Sequence, residues 1–232
     1  MAHLVAISDL HLGQSFALGP FKAFLADLRK RVRPDMLVLN GDILELAWMS
    51  WGDLKEQKLA MDALDELKGF ATGIEVSYLA GNHDRYDQIP KDEVHPIHVI
   101  APTVGGPAML ERDGVTYTHG DHWDTTTGVW NALLKLPIRA FLPGLYIKMY
   151  GTPYQLRMAQ KEQDYHELAF WVNGRAALWA AKQRRSLVFG HTHLPVLMVL
   201  PGGLMVACDG DWRDSLSWVE VRDGKIVLKY WG

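Results

Sequence analysis

Cysteine is almost absent from the chain. Cys208 is the single one in 232 residues, so no internal disulfide can form and the chain suits a reducing compartment. A surplus of one charge is also absent. The balance of 24 basic and 27 acidic residues leaves a formal charge of -3, which argues against a chain built mainly to coat nucleic acid. The opening MAHLVAISDLHLG lacks a basic start, a long apolar middle and a small-residue cleavage site, so nothing there reads as an export signal. The stretch 186–208 carries no formal charge, but Gly190, His191, His193, Pro195 and the turn Pro201-Gly202-Gly203 break it. It reads as strand, loop, strand, tight turn, strand. A membrane-spanning chain is not expected, and the expected location is the cytoplasm.

What is present is ordinary in bulk and specific in detail. Hydrophobic residues make up 48% and charged residues 22%, as in a soluble globular domain with a sizeable core. The first half alternates strands and helices. Residues 3–8 (HLVAIS) form a short apolar strand. Residues 20–33 place Phe21, Phe24, Leu25, Leu28 and Val32 at helical spacing behind Pro20. Residues 36–40 give a second strand and 53–70 a second helix, with Leu59, Leu64 and Leu67 on one side; 74–80 give a third strand. This order implies right-handed parallel crossovers with helices packed on a sheet. Later, AMLERDGVTYTHG predicts a hairpin turning at Asp113-Gly114, residues 128–185 read mostly helical, and strands return at 187, 196–200, 204–208, 216–221 and 225–230. There is no internal repeat.

Polar residues gather where these strands end. The ends read Ser8-Asp9-Leu10-His11, Asn40-Gly41-Asp42, Gly81-Asn82-His83-Asp84, Thr118-His119-Gly120-Asp121 and Gly190-His191-Thr192-His193. In parallel α/β sheets, ligands bind beyond the carboxyl ends of strands, so these five ends predict one shared site. Each block alone has a plain reading: Asp9 as a cap, Gly41-Asp42 as a turn. Together they supply carboxylate, amide and imidazole donors without a thiolate, a set that suits Mn²⁺, Fe or Zn²⁺. Seven such donors exceed one tetrahedral ion and suit two metals sharing a carboxylate, a device that grips phosphoryl groups.

In these blocks the chain resembles the calcineurin-like metallophosphoesterases, whose pattern runs D-x-H, G-D, G-N-H-[DE], H and G-H-x-H. The resemblance implies an α/β fold, a two-sheet sandwich flanked by helices (α/β/β/α). It implies that Asp9, His11 and His193 hold one divalent ion, Asn82, His119 and His191 the other, and that Asp42 bridges them. Mn²⁺ is the first choice of metal, with Fe or Zn²⁺ as alternatives. His83 would contact substrate or protonate the leaving oxygen, with Asp84 orienting its ring, and Asn82, Arg85 and His122 are further candidates for substrate contact. SDLHLG, HGD, GHTHLP and the late GDW make the chain most similar to the UDP-2,3-diacylglucosamine diphosphatase branch of lipid A synthesis. That branch carries Arg where this chain has His83. The resemblance therefore implies a phosphohydrolase acting on a lipid-linked nucleotide pyrophosphate. The alternatives are a general phosphodiesterase on nucleotides or other small substrates, and a non-catalytic scaffold of the same fold, which the full ligand set disfavours.

The expected organisation is a single domain over 1–232 with a helical cap inserted at 123–185. Within it, 128–151 is rich in large apolar residues, and its charges are Lys135, Arg139 and Lys148, all positive. Such a segment suits an acyl-chain groove or peripheral contact with the inner face of a membrane; packing against its own core at 153–182 and a homodimer contact are the plainer readings. Cys208 is expected as core packing, and Asp209 and Asp211 at the site rim.

Overall fold

The computed structural model describes residues 2–14, 18–124 and 154–232, with the side chains of 154–168 outside the description. The readings placed on 128–151, including acyl, membrane and dimer contacts, lie outside the described residues. So do Tyr154, Leu156 and Leu168 as packing partners.

Two sheets stack face to face. The first has the order β11-β10-β1-β2-β3-β4, from β1 (Leu4–Ile7), β2 (Met36–Leu39), β3 (Glu75–Leu79), β4 (His98–Ile100), β10 (Ser217–Arg222) and β11 (Lys225–Tyr230). β1 to β4 run parallel, and β10 joins β1 antiparallel. The second sheet has the order β5-β6-β7-β9-β8, from β5 (Met109–Arg112), β6 (Val115–Thr118), β7 (Ser186–Phe189), β8 (Val196–Val199) and β9 (Met205–Cys208). β6, β7 and β9 are parallel, with β5 and β8 antiparallel at the edges.

Strand alternation assigns the layers. Val5, Ile7, Leu37 and Leu39 face the helices α1 (Leu18–Asp27) and α3 (Lys58–Ala71), where Phe21, Phe24, Leu25, Leu64, Leu67 and Phe70 are buried. Leu4, Ala6, Met36 and Val38 face the other way and meet Val115, Tyr117, Val188 and Ala207 of the second sheet. Leu187, Phe189, Val206 and Cys208 look outward onto α5 (Tyr154–Gln183) at Val172, Ala176 and Ala180. The result is the α/β/β/α sandwich. The last turns of α5 are thus an outer layer of the sandwich rather than a cap, because small residues let the helix lie close on β7 and β9. This narrows the expected 123–185 insertion.

Local differences from the expectations have local causes. The helix expected at 53–70 is split into α2 (Trp51–Lys55) and α3, and α2 begins at a Ser50–Asp53 capping box. Leu59, expected on the buried side, is 58% exposed. The helix expected at 20–33 passes into a π-turn at Leu28–Val32 and stops at Arg33, whose φ is 50°. The Asp113-Gly114 turn has positive φ at both residues, as a tight hairpin requires. β4 and the short helix α4 (Lys91–Val94) were not legible in the sequence pattern. Among the described residues, no helix is long and apolar enough to cross a membrane.

Candidate metal centre

The first sheet brings Asp9, His11, Asp42 and Asn82 to the carboxyl ends of β1, β2 and β3, and the second brings His119, His191 and His193 to the ends of β6 and β7. Among the described residues, three sets of side chains offer ligand atoms within 4.8 Å of one another: Asp9–His11–His193, Asp42–His119–His191, and His11–Asp42–His83, which joins the first two. Asp42 lies between them, with Oδ2 at 3.1 Å from His119 Nε2 and 4.0 Å from His11 Nε2. Asp9 Oδ1 lies 3.2 Å from His193 Nε2 and 3.6 Å from His11 Nε2.

The backbone is bent to achieve this. Asp9, His11, Asp42, His191 and His193 have φ of 53°, 46°, 52°, 67° and 53°, a region that non-glycine residues rarely adopt and that clusters at functional sites. Loop-to-loop bonds hold the turns: Asp9 N–H donates to Gly41 O at 3.0 Å, His11 N–H to Asp42 O at 3.0 Å, and Gly190 N–H to His119 O at 2.9 Å. A Cβ on Gly190 would run into Ser8 Oγ and Asp9 Oδ2, so only glycine lets the two sheets approach here.

The rings are oriented from behind. His119 Nδ1 donates to Asn40 O at 3.0 Å, which leaves Nε2 facing Asp42. Glu45, 1% exposed, spans two rings, with Oε2 at 2.9 Å from His11 Nδ1 and Oε1 at 2.6 Å from His83 Nδ1. His191 Nε2 lies 3.2 Å from Asp124 Oδ2, and His193 Nδ1 lies 3.4 Å from Asp211 Oδ2. Glu45 and Asp124 escaped the sequence reading. The signal for Glu45 was an acid in the apolar run Ile43-Leu44-Glu45-Leu46, three residues past Asp42.

Asp84 requires a correction. Its carboxylate does not orient His83; it accepts the backbone N–H groups of Asp42 (2.7 Å), Leu44 (2.8 Å) and Gly81 (2.7 Å), and the Tyr78 hydroxyl. It pins the β2 and β3 loops together, and Glu45 has the role expected of it. Burial and then the charge of Asp42 push Asp84 up to about 6, against the pull of its donors. Arg85 is half-buried beyond the cluster with φ 47°. His122 is exposed on the turn Asp121–Trp123, its ring 4.2 Å from that of Trp123.

Electrostatics follow from opposite charges packed in a buried space. Burial alone would lower the imidazoles, but the nearby Asp9 carboxylate, the hydrogen bond to Glu45 and the charge of Asp42 raise His11 to about 10. Asp9 and Asp211 overcome the same cost at His193 and raise it to about 9. His119 is raised by Asp42, and His83 by Asp42 and Glu45, again against burial. Burial raises Asp9 and Asp42, yet the surrounding histidines hold both below the usual carboxylate range. Behind them, Ser8 Oγ sits between Asp9 and Asp209, and burial with the charge of Asp9 pushes the Asp209 carboxyl well up. Cys208 is fully buried, its thiol pushed up chiefly by burial.

The site fits divalent cations. Asp9 Oδ1, Asn82 Oδ1 and His119 Nε2 are buried and lack a hydrogen bond of good geometry, a costly arrangement for a polar atom with nothing to meet. The donors are oxygen and imidazole nitrogen, and the sets share Asp42 and His11.

The family profile of the calcineurin-like phosphoesterases matches residues 2–216. Proteins named UDP-2,3-diacylglucosamine hydrolase are similar over nearly the full length: that of Psychromonas ingrahamii is 26% identical, with 96% of this chain and 94% of the relative covered. That of Shewanella baltica is 24% identical, covering 96% and 95%. A dimetal phosphatase from Danio rerio has a similar fold, with a TM-score of 0.51 at 10% identity, over 98% of this chain and 95% of that one.

Proposed function

The chain belongs to the calcineurin-like phosphoesterase family and is a metal-dependent phosphohydrolase, and from that premise we propose that it cleaves the pyrophosphate of a UDP-2,3-diacylglucosamine-type lipid nucleotide. The observation that carries the chemistry is the convergence of two ligand sets on Asp42. The substrate is supported by the near-full-length relatives bearing that name.

In this reading Asp9, His11 and His193 would hold one divalent cation, Asn82, His119 and His191 a second, and Asp42 both. Mn²⁺ is the proposed metal, given the mixed carboxylate, amide and imidazole donors. When bound, the cations would neutralise phosphoryl charge and activate water for in-line attack. His83 is the proposed acid: Nδ1 is held by Glu45 at 2.6 Å, leaving Nε2 for substrate. Asp42 and Glu45 raise its pKa against burial, a direction that suits an imidazole donating a proton to the leaving oxygen. Asp84 acts only through the loops it pins.

One feature favours a second reading. Histidine at 83, where the lipid A branch has arginine, suits a general phosphodiesterase. Metal-free protein reloaded with Mn²⁺ is assayed on UDP-2,3-diacylglucosamine and on bis-p-nitrophenyl phosphate, with Asp42→Ala as control. Cleavage of the lipid nucleotide, lost in the variant, is the expected result. Cleavage of the chromogenic ester alone keeps the phosphoesterase and discards the lipid substrate.

A further inference from the structure

A dinuclear centre grips the phosphoryl group under attack, and a pyrophosphate brings a second charged phosphate beside it. A cationic side chain fixed at the rim of the site would meet it. Arg213 is half-buried and tied to the centre by two routes. Its Nη1 donates to Gln14 Oε1 at 3.0 Å, and Gln14 Nε2 in turn donates to Glu45 Oε2, the oxygen that holds His11. Its backbone N–H donates to Asp211 Oδ1 at 3.0 Å, and the other oxygen of Asp211 lies 3.4 Å from His193 Nδ1. Arg213 is therefore linked to His193 through Asp211, and to His11 through Gln14 and then Glu45.

The loop that carries it is held by hydrogen bonds and by a buried ring. Asp211 Oδ1 also accepts the N–H groups of Asp214 at 2.7 Å and Ser215 at 2.9 Å. Trp212 is fully buried, its ring 5.4 Å from Phe21 and 4.3 Å from Phe24. A planar guanidinium held by such a loop matches phosphate oxygens in pairs and loses little freedom on doing so.

We propose that Arg213 receives the second phosphate of a pyrophosphate substrate and sets the preference for pyrophosphates over simple diesters. This rests on the pyrophosphatase reading above. The test compares kcat/KM on UDP-2,3-diacylglucosamine with kcat/KM on bis-p-nitrophenyl phosphate for the Mn²⁺-loaded wild type, Arg213→Gln, Arg213→Lys and Arg85→Gln. The ratio is expected to fall about tenfold or more in Arg213→Gln, as for loss of a charge-assisted pair, and to recover in part in Arg213→Lys. An unchanged ratio in Arg213→Gln, or a fall in Arg85→Gln alone, overturns the proposal while the pyrophosphatase reading stands. A wild type that cleaves only the chromogenic ester overturns both, and that result appears before any variant is made.

Discussion

A buried acid that ligates nothing can still govern a site. Glu45 divides its two oxygens between His11 and His83, one in a ligand set and the other the proposed acid. Glu45→Gln keeps the shape but offers one acceptor oxygen and an amide donor in place of a charged pair. One ring then loses its acceptor and both lose the charge that raises them. Partners behind metal ligands commonly carry about 10- to 100-fold of affinity or activity. Glu45→Gln is therefore expected to lower kcat on bis-p-nitrophenyl phosphate and to weaken Mn²⁺ binding by that order, with the circular-dichroism spectrum unchanged. Wild-type kcat and metal affinity in the variant would reduce Glu45 to packing.

At the scale of elements, the site is a product of strand ends meeting across two sheets. Gly190 marks one close approach, where β7 ends against Ser8 and Asp9 of the β1 loop. Gly190→Ala places a methyl group on two buried polar side chains, one a candidate ligand. Overpacking of this kind costs about 1–3 kcal/mol, and here the displaced atoms belong to the centre. Thermal unfolding should drop and Mn²⁺ affinity fall together; a variant that loses neither would show that the sheets have slack at this edge. The same geometry explains what was legible in the sequence. Asp9, Asp42, Asn82, His119 and His191 each stand where an apolar run breaks, so strand periodicity marked them before any contact was known. Glu45 and Asp124 act across the fold on residues far away in the chain, and linear order carries no trace of that. Asp84 was readable as part of a motif, but not its partners, because backbone N–H groups leave no signature in a sequence. Leu59 shares a helical side with Leu64 and Leu67 in the sequence yet is exposed, because spacing alone cannot tell where α2 stops and α3 begins.

For the molecule as a whole, the centre is where the two sheets are tied together. The first sheet supplies Asp9, His11, Asp42 and Asn82, and the second supplies His119, His191 and His193, so cations held by both would staple the sandwich at one edge. That couples metal binding to global stability and to pH, with a definite sign. In the metal-free protein, His11 at about 10 and His193 at about 9 stand above the ordinary value of 6.5. The folded chain then holds more protons than the unfolded chain between those values. Their contribution is fully present below about pH 6.5 and is lost as pH rises towards 9 and 10. Imidazoles must shed these protons to ligate a metal, so Mn²⁺ competes with them less as pH rises. Urea unfolding with and without Mn²⁺ between pH 6.0 and 8.5 should show both trends: metal-free stability declining above about 6.5, and the metal-induced gain growing. Free metal at about 100 times its Kd is worth about 2.7 kcal/mol. Holding total Mn²⁺ fixed, the gain should be smallest at pH 6.0 and largest at pH 8.5, and Asp42→Ala should lose most of it at every pH. A gain that stays flat with pH would mean that the ligating rings are already neutral in the folded chain, and that the carboxylates do not hold protons on them.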